Sequence, residues 1–222
     1  MEKRRDSATA YIILADGFET IEALTPLDVL RRCGVEVTTI SLNQTRSVRS
    51  SHGVTVEADA TMEEFMHNCN CCASAIGTGT NSSNAGTSSS AGSSSTTASG
   101  TVRQALILPG GYPGYKNLCD SPEVGALITQ FHKEGKLLCA ICGAPTALKA
   151  NQICRGAAIT CHTSVKEELS DYYSILSSAV VKYMNIITGM GAGRSLDFAF
   201  AIAEALTSKE KVEEIKAKME II

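Results

Sequence analysis

The sequence lacks any apolar run long enough to cross a bilayer; its longest, such as "YIILA" (11–15) and "ALILP" (105–109), are strand-sized. It also lacks an excess of charge of either sign. Twenty Lys and Arg against 23 Asp and Glu leave a formal net charge of −3, no electrostatic footprint for nucleic acid or an anionic membrane. The opening "MEKRRDSATA" is basic, but it is interrupted by acids and has no apolar core of a secretory leader. An Arg-rich transit peptide fits poorly as well, because a core-strand pattern starts at Tyr11. The closing "KMEII" carries no lipidation or peroxisomal signal. The expectation is a cytoplasmic protein with no nucleic-acid partner and no membrane partner.

Cysteine, by contrast, is plentiful, with nine in 222 residues. In a chain read as cytoplasmic these are expected to be reduced thiols, not a disulfide framework. Cys33, Cys119, Cys139, Cys154 and Cys161 lie in or beside apolar segments and read as small buried hydrophobes.

The first fifty residues read β–α–β. "AYIILA" (10–15) is a compact apolar strand, "ETIEALTPLDVLRRCG" (19–34) a helix ended by Gly34, and "VEVTTISL" (35–42) a β-branched strand. Pro26 inside the helical pattern predicts a late helix start or a kink. Two short strands are expected around the Ser51-His52-Gly53 turn, followed by the short helix "TMEEFMH". Residues 73–101 then hold almost nothing but Ser, Thr, Gly, Ala and Asn. Such a stretch cannot bury enough apolar surface to offset the entropy of ordering it, so it reads as a disordered insert.

Pattern resumes with the strand and Gly-Pro-rich loop "QALILPGGYPGY" (104–115) and the helix "SPEVGALITQFHKEG", whose N-cap is Ser121. The strand "KLLCAIC", the helix "GAPTALKAN", the strand "AAITC" and the helix "SVKEELSD" come next. "AVVKYMN" and "IITGMG" read as later strands, and "SLDFAFAIAEAL" as a buried helix. A last helix opens with the capping-box spacing Thr207-x-x-Glu210 and carries an apolar stripe of Val212, Ile215, Met219 and Ile222. Strands alternating with helices imply one α/β domain over 1–222, with a mostly parallel sheet covered on both faces.

The chemistry concentrates at one corner. In such a sheet, ligands bind beyond the carboxyl ends of the strands. Cys142 ends a strand and begins a helix there, like the serine of a nucleophile elbow. Free N–H groups and the partial positive charge of the helix start favour a thiolate, lowering the thiol pKa from its reference of about 8.5. The plainer alternative is a buried cysteine that merely follows a strand. "LPGGYPG" ends a neighbouring strand with Gly110 and Gly111, whose N–H groups can approach an oxyanion, or which simply make a turn. "ITCHTS" places His162 after a further strand, where an imidazole is useful for proton transfer. Glu19, Glu22 and Asp28 fall on the helix after the first strand, and alone they would read as a solvated face.

Taken together, "LADGFETIEALTPLDVLRRCG" (14–34), "LILPGGYPG" (106–114), "AICGAPTAL" (140–148), "TCHTSVK" (160–166) and "GAGRSLDFAFAIAEAL" (191–206) resemble the ThiJ/PfpI superfamily, in its protein-deglycase branch. The resemblance implies a flavodoxin-like three-layer sandwich, related in class to the class I glutamine amidotransferases, that works as a homodimer without a cofactor. It implies that Cys142 is the nucleophile, Glu22 the carboxyl bonded to it and His162 the accompanying histidine. Gly110, Gly111 and Gly143 would form the oxyanion and substrate pocket, with Asp28 orienting His162 from the partner subunit. The implied activity is a glyoxalase or deglycase acting on methylglyoxal-type 2-oxoaldehydes or their protein adducts, with protection against oxidative stress. Two departures stand out: His52 where the branch has an arginine, and Gly143-Ala144 where it has Ala-Gly.

An ionised Glu22 beside Cys142 would raise the thiol pKa, so an acidic thiol requires Glu22 to hold a proton and donate it to sulfur. Competing readings use the same residues: a redox sensor or holdase built on Cys142 oxidation, or a Cys-His peptidase or amidase. Thiazole-phosphate biosynthesis is not indicated. Cys139-x-x-Cys142 matches a redox dithiol spacing, yet Cys139 lies inside the strand pattern. His67, Cys69, Cys71 and Cys72 could hold a soft metal, but they lack paired C-x-x-C spacing, and no metal site is expected. "GMGAGRS" imitates a phosphate loop without the early βαβ unit such a site needs.

Overall fold

The computed structural model describes residues 8–68 and 103–221. The Ser/Thr/Gly-rich stretch at 73–101, Cys69, Cys71, Cys72 and Ile222 lie outside the described residues. The amino-terminal part runs β1 (Thr9–Leu14), α1 (Thr20–Arg32), β2 (Glu36–Ser41), a β3 (Ser47–Arg49) and β4 (Thr55–Glu57) hairpin, β5 (Ala60–Thr61) and α2 (Met62–Asn68). After it come β6 (Gln104–Leu108), α3 (Gly114–Asp120), α4 (Pro122–Lys133), β7 (Leu137–Ile141) and α5 (Pro145–Ala150). The chain continues with β8 (Ala158–Ile159), α6 (Lys166–Ser170), β9 (Ser174–Ile175), β10 (Val180–Tyr183), β11 (Ile186–Gly189), α7 (Ser195–Leu206) and α8 (Lys209–Lys218).

Seven strands form the main sheet in the order β10-β11-β7-β6-β1-β2-β5, and only the β10–β11 pairing is antiparallel. The five long parallel strands therefore follow the flavodoxin-like order, whose direction of winding reverses between β1 and β6. Successive side chains of a strand point to opposite faces, and the core divides accordingly. Ile13, Leu106, Leu108, Leu138 and Ala140 pack on the side of α4 and α5. Ile12, Leu14, Ile107, Cys139 and Ile141 pack on the side of α1 and α7. Phe131 on the first face and Phe198 on the second are fully buried, each contributing about 1.5–3 kcal/mol of transfer free energy. No helix among the described residues is long and apolar enough to cross a membrane.

Several elements differ from expectation. The start of α1 is not delayed by Pro26: the helix begins at Thr20, fixed by the Glu19 side chain accepting from the Glu22 N–H at 2.8 Å. Proline has no N–H, so the Glu22 carbonyl goes without its helical partner, a cost the buried, packed ring tolerates. Among the described residues "AAITC" does not join the main sheet, and β8 pairs with β9 alone. The Gly-Pro-rich loop expected up to residue 115 gives way at Gly114 to α3, a helix that the sequence reading did not assign. Ser208, not Thr207, caps α8, accepting from Lys211 N–H at 3.2 Å, while the Thr207 hydroxyl bonds back to Ala203. Cys33, Cys139 and Cys161 are buried, but Cys119 and Cys154 are only half-buried.

Candidate active site

β7 ends at Ile141, and Cys142 turns the chain with φ +64°, a left-handed conformation that few residues with a Cβ adopt. Two main-chain bonds hold it there. Its N–H donates to the Gly189 carbonyl at the end of β11 (3.0 Å), and its carbonyl accepts from the His162 N–H (2.9 Å). Strain at one residue persists because the flanking segments over-determine it. The next residue admits no side chain: a Cβ on Gly143 would stand 2.6 Å from the Tyr115 ring. That contact accounts for glycine directly after the cysteine.

Glu22 reaches the corner from the first turn of α1 and is completely buried. Its Oε2 accepts from the Gly110 N–H at 2.8 Å, whereas Oε1 is buried without a nitrogen or oxygen partner. Gly110 sits between the carboxyl and the thiol. A Cβ there would fall 2.6 Å from both Cys142 Cβ and Glu22 Oε2, and 3.1 Å from Cys142 Sγ. Only glycine lets these three segments meet. Gly111 (φ +90°) likewise brings the loop against the turn after β1, where a Cβ would lie 2.3 Å from the Glu19 nitrogen.

The two acids set each other's protonation. Burial pushes the Glu22 carboxyl from 4.5 up to about 7; bonds from the Gly110 amide and the Cys142 thiol pull it back, and the Glu19 charge adds to the rise. Burial, followed by the charge of Glu22 and its hydrogen bond, pushes the Cys142 thiol up to about 12, against the amides of Gly111 and Gly143 that point at sulfur. The acidified resting thiol expected from the helix start is therefore not what the corner produces. Burial of the thiol, with a carboxylate beside it, outweighs the few amides of a short helix start. The pair loses one proton near neutrality and keeps the second well into alkali, so its titration belongs to both groups. In the singly ionised pair the remaining proton therefore stays on sulfur, beside a Glu22 carboxylate placed to take it, while the amides of Gly111 and Gly143 face the sulfur.

His162 is exposed. Its Nδ1 accepts from the Ser164 N–H at 3.2 Å and lies 2.8 Å from the Ser164 hydroxyl, which places the proton of a neutral ring on Nε2. Among the described residues the ring bonds to neither Cys142 nor Glu22; the main chain alone joins His162 to the corner. Asp28 lies on the exposed side of α1 in a 2.8 Å ion pair with Arg32 and does not bond to His162 within the chain. His52, at the β3–β4 tip, stands 3.9 Å from Glu19 Oε1.

The structure thus gathers Cys142, Glu22, Gly110, Gly111 and Gly143, keeps His162 adjacent, and leaves Asp28 and His52 at the periphery. Sequence reasoning did not single out Tyr115 or the capping role of Glu19; neither has a motif, since each acts through tertiary contact. The roughly 660 Å³ cleft on α4, lined by Cys119, Gly125, Thr129, Lys133 and Asn151 among others, does not include this corner. Among the described residues no three His, Cys, Asp or Glu side chains are placed to hold a metal ion.

Comparison with known proteins gives the family and the fold. The model of the DJ-1/PfpI family matches residues 8–205. Protein dj-1beta of Drosophila melanogaster is 31% identical over 210 residues, covering 94% of this chain and 95% of that protein. Its crystal structure superposes with a TM-score of 0.79 at 30% identity, covering 97% of this chain and 99% of the other. A Caenorhabditis elegans protein named glutathione-independent glyoxalase DJR-1.2 is 38% identical over 107 residues, 48% of this chain and 56% of that one.

Proposed function

The chain belongs to the DJ-1/PfpI family, and on that footing we propose that it is a cysteine-dependent glyoxalase or deglycase acting on 2-oxoaldehydes such as methylglyoxal, or on their protein adducts. The observation that carries this reading is the buried Glu22 carboxyl coupled to the thiol of a left-handed Cys142, with the amides of Gly111 and Gly143 directed at the same point.

As the Cys142 sulfur adds to the aldehyde carbon, the Glu22 carboxylate takes the thiol proton and passes it to the aldehyde oxygen, giving a hemithioacetal. Glu22, now ionised, removes the proton from that carbon to form an enediolate and returns it to the adjacent carbon. A thioester of the 2-hydroxy acid results. Water then splits the thioester, releasing the acid and restoring the thiol. The net change is addition of one water, so no external oxidant or cofactor is required. A carboxyl titrating near pH 7 suits both directions of this transfer, because each protonation state is populated. The amides of Gly111 and Gly143 would hold the developing oxyanion, while the Gly110 amide is engaged with Glu22. His162, with its proton on Nε2, would donate to the second carbonyl of the substrate. In a homodimer, Asp28 of the partner subunit would orient it.

A second reading, in which Cys142 is oxidised to a sulfinate and acts as a sensor, draws on the same two amides as donors to the sulfinate oxygens. A Cys-His peptidase is less well supported, since the imidazole bonds to Ser164 and not to the thiol. Purified protein mixed with methylglyoxal and no glutathione should form the 2-hydroxy acid, and Cys142→Ser should not. Equal rates from the two proteins would remove the proposal.

A further inference from the structure

Three hydrogen bonds at the base of the site close into a ring. The Glu22 N–H donates to Glu19 Oε2 (2.8 Å), the Glu19 N–H donates to the Gly110 carbonyl (2.9 Å), and the Gly110 N–H donates to Glu22 Oε2 (2.8 Å). Each residue gives one N–H and receives one, so none can shift without breaking a bond to the next. The ring ties together the start of α1, which carries the Glu22 carboxyl, and the loop after β6, whose Gly110 amide holds that carboxyl beside Cys142.

We propose that Glu19 is the positioning residue for Glu22: its carboxylate closes this ring and holds a second negative charge beside the reacting carboxyl. The inference rests on the proposed role of Glu22, to which it adds a supporting group.

Glutamate is not a favoured N-cap, since serine, threonine, aspartate and asparagine place an oxygen there with a shorter side chain. A neutral cap would satisfy the same N–H. What glutamate adds is charge in a confined place: its side chain is only 14% exposed. That charge favours the protonated form of Glu22, acting with burial and against the bonds from Gly110 and Cys142. The groups facing Glu22 are thus Glu19 on its own helix, the Gly110 amide from the β6 loop, and Cys142 from the β7 corner. Glu19 in turn faces His52 of the β3–β4 hairpin, which offsets its charge when protonated. Cys142 feels the charge of Glu22, so the influence of Glu19 on the thiol runs through that carboxyl.

The test uses alkylation of Cys142 by iodoacetamide across pH, read at the Cys142 peptide by mass spectrometry. This readout needs no turnover, so it remains informative even if methylglyoxal proves not to be a substrate. Glu19→Gln keeps a carbonyl acceptor for the cap, and Glu19→Ser installs a preferred cap; both remove the charge. Each should move the acid limb of the alkylation profile to lower pH while leaving the plateau rate unchanged. Glu19→Ala, which also opens the ring, should lower the plateau, and Glu19→Gln should restore it. In a Glu22→Gln background, the shift caused by Glu19→Gln should vanish. An unshifted limb in both charge-removing variants, or a shift that persists without a carboxyl at position 22, would overturn the inference.

Discussion

The His162 main-chain N–H donates to the Cys142 carbonyl at 2.9 Å, while the imidazole of the same residue is turned to Ser164. Backbone and side chain thus do different things at one position: the backbone holds the strained cysteine in place, and the ring stays free of the thiol. Removing the ring should therefore disturb proton transfer in turnover more than the fold. His162→Ala, which keeps the N–H, should retain the thermal midpoint and lower kcat. A large loss of stability would show that the ring itself is structural.

Access and the groups that face each sulfur together order the cysteines. Cys139 is completely buried in the sheet, and burial keeps its thiol protonated far into alkali. Cys142 is half-buried, and its thiolate has the amides of Gly111 and Gly143. Limiting peroxide followed by peptide mass spectrometry should find sulfinate at Cys142 before Cys33, Cys119, Cys139, Cys154 or Cys161. Earlier oxidation at Cys139 or Cys161 would contradict the proposed environment.

Glu22 should make stability depend on pH in a direction opposite to that of most carboxylates. Its ordinary value is 4.5 and its folded value about 7. Between those values the folded chain holds a proton that the unfolded chain has lost, so this group's contribution to stability falls as pH rises. The penalty is absent below about pH 4.5 and complete above about pH 7; at about 1.4 kcal/mol per unit it comes to about 3.5 kcal/mol. Glu22→Gln should gain stability relative to wild type as pH is raised from 4.5 to 7, while kcat falls by about 10²–10⁴-fold. Parallel stability curves for the two proteins would contradict the burial argument.

Gly143 and Tyr115 should behave as a coupled pair. A methyl at 143 meets the ring at 2.6 Å, so Gly143→Ala should cost about 1–3 kcal/mol. In a Tyr115→Ala background the same substitution should cost little, because the obstacle is gone. Denaturation midpoints of the four proteins measure the coupling, and simple additivity would rule the contact out.

Much of this arrangement can be read from sequence where the signal is local. The apolar runs that became β1, β6 and β7, the Ser121 cap, and the strand-to-helix corner at Cys142 all depend on a few adjacent residues. The rest depends on what packs against what. The capping role of Ser208 over Thr207 turns on which residue has extended backbone. β8 has strand composition but no place in the main sheet, since β11 already flanks β7. The raised thiol pKa follows first from the thiol's own burial and then from the charge of the buried Glu22 beside it, neither of which a helix-face pattern of Glu19, Glu22 and Asp28 reveals.

Residues 73–101 should be dispensable for the chemistry. Arg103, where the described chain resumes, is fixed at the amino end of β6 by the Thr9 N–H (2.9 Å) and the Thr207 carbonyl (2.7 Å). Cys142 and Gly110 lie at the carboxyl ends of their strands. Loop length changes closure entropy by only about 0.6 kcal/mol per doubling. Replacing the stretch with a short Gly-Ser turn should leave Cys142 alkylation and thermal stability close to wild type. A folded deletion variant with an unreactive Cys142 would mean that the stretch serves the site.

The most direct test of the Cys142–Glu22 pair is to separate the steps assigned to each residue. Glu22→Gln keeps the nucleophile and the acceptor for the Gly110 amide, but it removes the group that moves the proton. Native mass spectrometry of this variant mixed with methylglyoxal should show one adduct, mapped to Cys142 and absent from Cys142→Ser, with 2-hydroxy acid formation nearly abolished. Undiminished product formation by Glu22→Gln, or an adduct that persists in Cys142→Ser, would contradict the assignment.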